Sequence, residues 1–214
     1  MTESIIILLA GIFLPLFPMS MVFNAVIESI KHAWLRAVLF VVWPLCGLSI
    51  VLYSKVVIPA WVLPLALTTS ALYALRMLSL REVNQWNGFL ATSLWSLLWL
   101  AAMQDTSEIL LYSYALSMSA PLVLLVLLSA GLEQRFGAAY TELYSGLART
   151  IPRFAGVLVT VVVAAIATPL FPTFFIMLDM VVETISATPL AAMVLLFIWL
   201  LWSWAGARLI QGLI

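Results

Sequence analysis

Long apolar runs separated by short polar breaks are the dominant pattern along this chain. A helix needs about 20 apolar residues to cross the hydrocarbon core of a bilayer. Runs of roughly that length or longer occur at residues 4–27, 35–54, 57–78, 86–104, 108–132, 152–182 and 188–210. The pattern therefore predicts an all-α, polytopic membrane protein with seven transmembrane helices, and a single transmembrane domain over residues 1–214.

The basic residues distinguish the two sides of the predicted bundle. Cytoplasmic connections of membrane proteins are enriched in Lys and Arg. If the spans alternate in direction, all but one of the nine basic residues fall on the same side, and the exception is Lys55. Asp105, Glu108 and Glu183 lie on the side of Lys55. This distribution predicts an N-terminus outside and a C-terminus in the cytoplasm.

Composition restricts the function classes. The chain is 65% hydrophobic and 8% charged, with a mean hydropathy of +1.20, whereas a soluble domain carries about a quarter charged residues. Its N-terminal run lacks a basic start and is too long for a cleaved signal, so we expect it to remain as span one. One cysteine, Cys46, and one histidine, His32, give no disulfide framework, metal site or catalytic triad. We predict no catalytic residue, cofactor or nucleic-acid partner, and a multi-pass location in a cell (inner) membrane.

The tetrapeptide PLFP occurs twice, once in span one and once in span six. Its prolines are Pro15 and Pro18 in the first copy and Pro169 and Pro172 in the second. Proline lacks an N–H and clashes with the preceding turn, so both spans are predicted to be broken helices. Broken helices in membranes either serve packing or expose backbone dipoles to an ion. Both interpretations apply to this motif.

Each PLFP copy is followed by a pair of polar side chains four residues apart. The pairs are Asn24 with Glu28 and Asp179 with Glu183, so each pair shares one helix face. Because an ionisable group within a span is a functional candidate, these four residues and Glu108 are the predicted ion-pathway residues. Asp179 lies deepest, so the second copy is predicted to be functional and the first to be a packing kink, or an inverted repeat of the second.

Tryptophans fall into two groups. Three lie near predicted span ends, as an aromatic belt at the membrane surface requires: Trp34, Trp61 and Trp86. Five lie deeper and are predicted to face lipid or a partner subunit: Trp95, Trp99, Trp199, Trp202 and Trp204.

A series of motif residues lies between residues 117 and 182. It comprises Ser129, Gly131, Glu133, Arg135 and Gly137, then Tyr144, Gly146, Leu147, Ala148, Arg149, Pro152 and Arg153, and finally Pro169, Pro172 and Phe174. The segment resembles the proton-translocating membrane subunits of respiratory complex I. It is equally similar to their relatives in Mrp-type antiporters, membrane-bound hydrogenases and inorganic-carbon uptake complexes. The resemblance implies a short, divergent member that matches the C-terminal half of such subunits.

The chain departs from this family where the family's proton path lies. The resemblance places a His and a Lys in the first helix of the segment, but Met118 and Leu122 occupy those places. A Gly-Glu-Phe sequence is expected after the proline motif, yet this chain has Ile176, Met177 and Leu178, with Asp179 two positions beyond the expected glutamate. Full members also have about twice as many spans. The fold is therefore expected to persist without the complete proton path.

Three functions are compatible with these features. The favoured one is a non-autonomous subunit of an ion-translocating complex, with a structural or coupling role and larger membrane or cytoplasmic subunits as partners. Such a chain would not be an enzyme by itself but would serve an oxidoreductase or a transporter. The alternatives are a stand-alone small solute carrier and a purely structural membrane anchor.

Overall fold

A computed structural model describes residues 2–104, 106–140 and 147–213 of the chain. These residues are helical apart from short connections, so the predicted all-α class is confirmed. The helices are α1 (Thr2–Phe13), α2 (Ser20–Ser29), α3 (Ala33–Ser54), α4 (Val62–Met77), α5 (Val83–Ser96), α6 (Leu98–Met103), α7 (Glu108–Phe136), α8 (Leu147–Thr150), α9 (Pro152–Ala165), α10 (Pro172–Ala187) and α11 (Pro189–Leu213).

Three helices are individually long and apolar enough to cross a membrane. They are α3, α7 and the Pro189–Gly212 portion of α11. The other predicted spans consist of shorter helices: α1 with α2, α4, α5 with α6, and α9 with α10. The apolar helices therefore support a membrane protein, while the number of seven spans and the orientation of the termini stay predictions.

Helix α5 lies at the centre of the bundle. It packs against α4, α7 and α2, and α7 in turn packs along α3 and α9. Nearly all of its residues are buried, although many of them are small or polar, such as Gly88, Thr92 and Ser93. Small residues allow helices in membranes to approach closely, and buried hydroxyls can bond across the interface. Ser93 and Ser70 of α4 do so, since each hydroxyl donates to the other residue's carbonyl at 2.8 Å.

The first PLFP run interrupts span one between α1 and α2. The interruption leaves carbonyl oxygens without helical partners in a dry environment, where each must find another donor. Tryptophans from neighbouring helices provide these donors. The indole N–H of Trp99 donates to the carbonyl of Leu14 at 2.9 Å, and that of Trp43 donates to the carbonyl of Ile12 at 3.1 Å. The break is therefore fixed by side chains from α6 and α3.

The second PLFP run interrupts span six between α9 and α10. Pro172 occupies the first position of α10, where its missing N–H would have had no helical partner. The carbonyl of Ala167 accepts from the indole of Trp199 at 2.9 Å, and that of Ala164 accepts from the hydroxyl of Thr173 at 2.7 Å. Both interruptions thus share one chemical solution, a tryptophan donor from another helix.

The prediction that the deeper tryptophans face lipid or a partner is wrong for three of them. Trp95, Trp99 and Trp202 are fully buried, whereas Trp204 is 60% exposed. Trp86, which was expected in the surface belt, is also buried. A purely apolar account overlooks the indole N–H, which Trp99 and Trp202 direct at a carbonyl or hydroxyl inside the bundle. Trp95 is buried for another reason, since its ring packs edge-on against Phe23 and Phe40, and neither its N–H nor that of Trp86 has a hydrogen-bond partner among the described residues.

Candidate functional site

A polar cavity of about 460 Å³ lies where α2, α3, α5 and α7 meet. Charged and amide side chains dominate its wall: Asn24, Glu28, Lys31, Arg36, Glu82, Asn84, Gln85 and Glu133. This is an unusual concentration for a chain with 8% charged residues. It is therefore the strongest candidate for a functional site, and we refer to it as the polar cavity.

The centre of the polar cavity is an ion pair between Arg36 and Glu133. Arg36, in the first turn of α3, is 7% exposed, and its Nη2 lies 3.3 Å from Oε2 of Glu133 near the end of α7. The amide of Asn84 donates to the other carboxylate oxygen. The hydroxyl of Ser129 donates to Oδ1 of Asn84 at 2.6 Å. This network joins α3, α5 and α7 and fixes the orientation of the Glu133 carboxylate.

Asn24 lines a second wall of the cavity. Its amide donates to the hydroxyl of Thr92 at 3.1 Å and to the carbonyl of Ser20 at 3.2 Å. A Cβ at Gly88 would lie 3.0 Å from Oδ1 of Asn24, so a glycine at this position permits the close approach of α2 and α5. Glu28, one turn further along α2, is exposed. The polar pair that follows the first PLFP copy therefore lines the cavity, and the role of this copy as a packing kink or an inverted repeat stays a prediction.

Glu82, in the connection between α4 and α5, is the acidic residue of the cavity whose pKa is shifted. Burial raises the pKa of its carboxyl above the usual range, and the nearby charges of Glu133 and Glu28 raise it further. The Arg36 cation and a hydrogen bond with Asn84 oppose that rise in pKa. The folded protein consequently binds a proton at Glu82 more tightly than the unfolded chain does.

Replacing Glu82 with glutamine should raise thermal stability at neutral pH. Because the folded-state pKa of Glu82 is raised, its ionisation destabilises the fold as pH rises from the unfolded-state value through the folded one. Glutamine removes that loss, and because Glu82 is partly exposed we expect a gain below about 1 kcal/mol. Melting in detergent between pH 4.5 and 8 measures the effect. Exposed Glu108→Gln is the control, and a Glu82→Gln variant no more stable than wild type at pH 8 contradicts the expectation.

The remaining predicted ion-pathway residues lie near the opposite end of α7. Asp179 of α10 accepts a hydrogen bond from the hydroxyl of Tyr114, while Glu183 and Glu108 are exposed. Tyr114 and Glu133 are 19 residues apart (133 − 114) on α7, which corresponds to about 28 Å at 1.5 Å per residue. That length is close to the roughly 30 Å of a hydrocarbon core. The structure thus separates the predicted residues into two groups instead of uniting them.

The part of α7 between these two groups carries only neutral side chains. Met118 and Leu122, at the places where the family resemblance expects His and Lys, are both 0% exposed. Asn87 of α5 donates to the carbonyl of Leu122 at 2.9 Å. No titratable side chain occurs on α7 from Ala115 to Leu132. The middle of this helix therefore provides no proton-carrying group.

The family-motif residues are dispersed. Glu133 belongs to the polar cavity, whereas Arg135, Arg149 and Arg153 are exposed and are not part of its lining. Pro152 begins α9. Tyr144 and Gly146 lie outside the described residues.

Sequence reasoning missed Arg36, Glu82 and Asn84 as members of the site. Arg36 is one of the basic residues that predict the orientation, and Glu82 lies in the polar break between the predicted spans at residues 57–78 and 86–104. A signal was present in α5, where Asn84, Asn87 and Gly88 recur with helical spacing. Polar residues on one face of a helix in so apolar a chain indicate an interior face.

Comparison with known proteins gives a match at the level of fold. No family model and no curated protein matches the sequence. Among solved structures, a chain of respiratory complex I from Thermus thermophilus with bound NADH superposes with a TM-score of 0.83 at 17% identity. The match covers 95% of this chain and 46% of that one. The fold is shared with a chain of respiratory complex I. The sequence resemblance to complex I is thereby supported in its coarse form, and this chain spans less than half of the matched chain's length.

Proposed function

We propose that this chain is a membrane subunit of a multi-subunit complex related to respiratory complex I, with a structural or coupling role. The observation that carries the proposal is the shared fold, which extends over 95% of the chain. The inferred partners are larger membrane or cytoplasmic subunits, in a cell inner membrane. Mrp-type antiporters, membrane-bound hydrogenases and inorganic-carbon uptake complexes are the relatives whose complexes this subunit would resemble.

The interior of the bundle supports a coupling role instead of autonomous pumping. Proton transfer across a membrane requires closely spaced titratable groups or water. Here the polar cavity and the Asp179–Tyr114 pair lie near opposite ends of α7, and buried Met118 and Leu122 lie between them. The polar cavity and the Asp179–Tyr114 pair can each form part of a half-channel that a partner subunit completes. The described residues of α7 do not connect the cavity to the pair.

Reconstitution of the chain by itself tests the proposed role. We expect liposomes that contain the purified chain to dissipate an imposed pH gradient no faster than empty liposomes. Proton flux well above that baseline would contradict a purely structural or coupling role.

The second candidate function is a small solute carrier. The observation that favours it is the polar cavity of about 460 Å³, which lies within the roughly 300–1,000 Å³ that is usual for ligand sites. The same liposomes test this candidate. Uptake of a weakly charged solute by the chain alone would favour the carrier.

Asp179→Ala should impair ion movement in the assembled complex while leaving assembly intact. The carboxylate accepts the Tyr114 hydroxyl inside the bundle, and we expect its loss to slow coupled ion movement by about tenfold or more. Ion flux and subunit composition of the purified complex are the two measurements. Tyr114→Phe is the control that keeps the carboxylate and removes its donor. Normal flux with Asp179→Ala would exclude a proton role for Asp179.

A further inference from the structure

An open groove of about 940 Å³ lies outside the polar cavity, between the start of α3 and the end of α7. It shares Lys31, Arg36 and Glu133 with that cavity but is otherwise lined largely by apolar and small residues. Trp34 is 75% exposed and lines the groove. The groove therefore lies at the outer surface of the bundle, at the end where the predicted cytoplasmic connections meet.

The polar end of the groove combines three features that suit a phosphate group. First, α3 begins here, and its first residues line the groove without a side-chain cap from His32. Uncapped amides at a helix N-terminus bind anions. Second, Lys31 is exposed and forms no ion pair with any described residue. Third, Nε of buried Arg36 has no hydrogen-bond partner among the described residues. A buried, unpartnered donor beside a helix start is evidence for an absent acceptor.

The rest of the groove is apolar and continues along both helices. Leu35 and Val38 of α3 are about half exposed, and Leu127 of α7 and Gly131 complete this part of the wall. A free inorganic anion would leave these side chains uncovered. An acyl chain would cover them while its headgroup phosphate lies at Lys31 and the start of α3. This placement agrees with the predicted position of Trp34 at the membrane surface.

We propose that this groove binds an anionic phospholipid, with the headgroup phosphate at Lys31, Arg36 and the α3 amides and an acyl chain along Val38 and Leu127. Because Arg36 and Glu133 form an ion pair at 3.3 Å, Lys31 supplies the net positive charge of the site and Arg36 contributes the hydrogen-bond donor Nε. On the predicted orientation the site faces the cytoplasmic leaflet, where anionic lipids are attracted to basic residues. The site is independent of the function proposed above.

Native mass spectrometry of the purified full chain tests this site with added phosphatidylglycerol and phosphatidylcholine. We expect wild type to retain phosphatidylglycerol in preference to phosphatidylcholine. Lys31→Gln should weaken that retention about fivefold, as loss of one lysine near a phosphate implies. Val38→Trp, which fills the apolar part of the groove, should weaken retention of the lipid without changing charge.

Lys55→Gln is the matched control, since it removes the other lysine at the opposite end of α3 and should leave retention within about twofold of wild type. Equal retention of phosphatidylglycerol by wild type, Lys31→Gln and Val38→Trp would overturn the proposal. Glycerol 3-phosphate, a water-soluble phosphate without acyl chains, is tested in parallel. If it binds as tightly as phosphatidylglycerol, the groove is a free-anion site and the lipid assignment is wrong.

Discussion

Replacing Glu133 with leucine should destabilise the protein by about 1–3 kcal/mol, because it leaves the buried Arg36 cation without its partner, while the 36% exposure of the Glu133 side chain limits the loss. Arg36 is 7% exposed, and Glu133 is its partner at 3.3 Å. The substitution also deprives the Asn84 amide of its acceptor. Denaturant titration in detergent, followed by tryptophan fluorescence, measures the change in the free energy of unfolding.

The double variant Arg36→Leu/Glu133→Leu makes this result interpretable. Replacing both members of a buried pair by apolar residues is often neutral, so the double variant should recover most of the loss. Glu183→Leu, which removes an exposed carboxylate from α10, should change stability by less than about 0.5 kcal/mol. A Glu133→Leu variant as stable as Glu183→Leu would show that the pair does not stabilise the bundle.

The second large effect is expected for Trp99→Phe, with a loss of about 2–3 kcal/mol. The indole N–H of Trp99 donates to the carbonyl of Leu14 at 2.9 Å, in the interruption between α1 and α2. Phenylalanine keeps an aromatic ring but leaves a buried carbonyl unpaired, which costs about 1–3 kcal/mol. The smaller ring also leaves a void in a fully buried position. The same denaturant titration is the measurement.

Trp204→Phe provides the comparison for Trp99→Phe. Trp204 is 60% exposed and makes no hydrogen bond with a described side chain or carbonyl, so its replacement should be close to neutral. Equal, small losses for the two variants would mean that the interruption does not depend on the indole donor. Broken spans one and six would then need another explanation for their stability.

The general architecture was predictable because the membrane imposes it. Apolar runs of sufficient length specify helices, and the two PLFP motifs mark where spans one and six are interrupted. What apolarity could not indicate is which tryptophans turn inward. Trp99 and Trp202 are buried because their N–H groups satisfy acceptors created elsewhere in the chain, and that pairing depends on tertiary structure.

The candidate site was only partly predictable. The spacing of Asn24 and Glu28 correctly placed them on one helix face, and both line the polar cavity. Their partners come from other helices: Arg36 from α3, Glu82 from the connection before α5, and Glu133 from α7. No local pattern joins residues that are so distant in sequence. The functional role of the second PLFP copy stays a prediction, and its Asp179 lies with Tyr114 near the other end of α7.

Purification of the chain from its native membranes in mild detergent tests the central claim most directly. If the chain is a subunit of a complex related to respiratory complex I, it should elute as a stable hetero-oligomer with at least one further, larger membrane subunit, identified by mass spectrometry. Recovery of the chain by itself, in a form that moves ions or a solute when reconstituted alone, would contradict it.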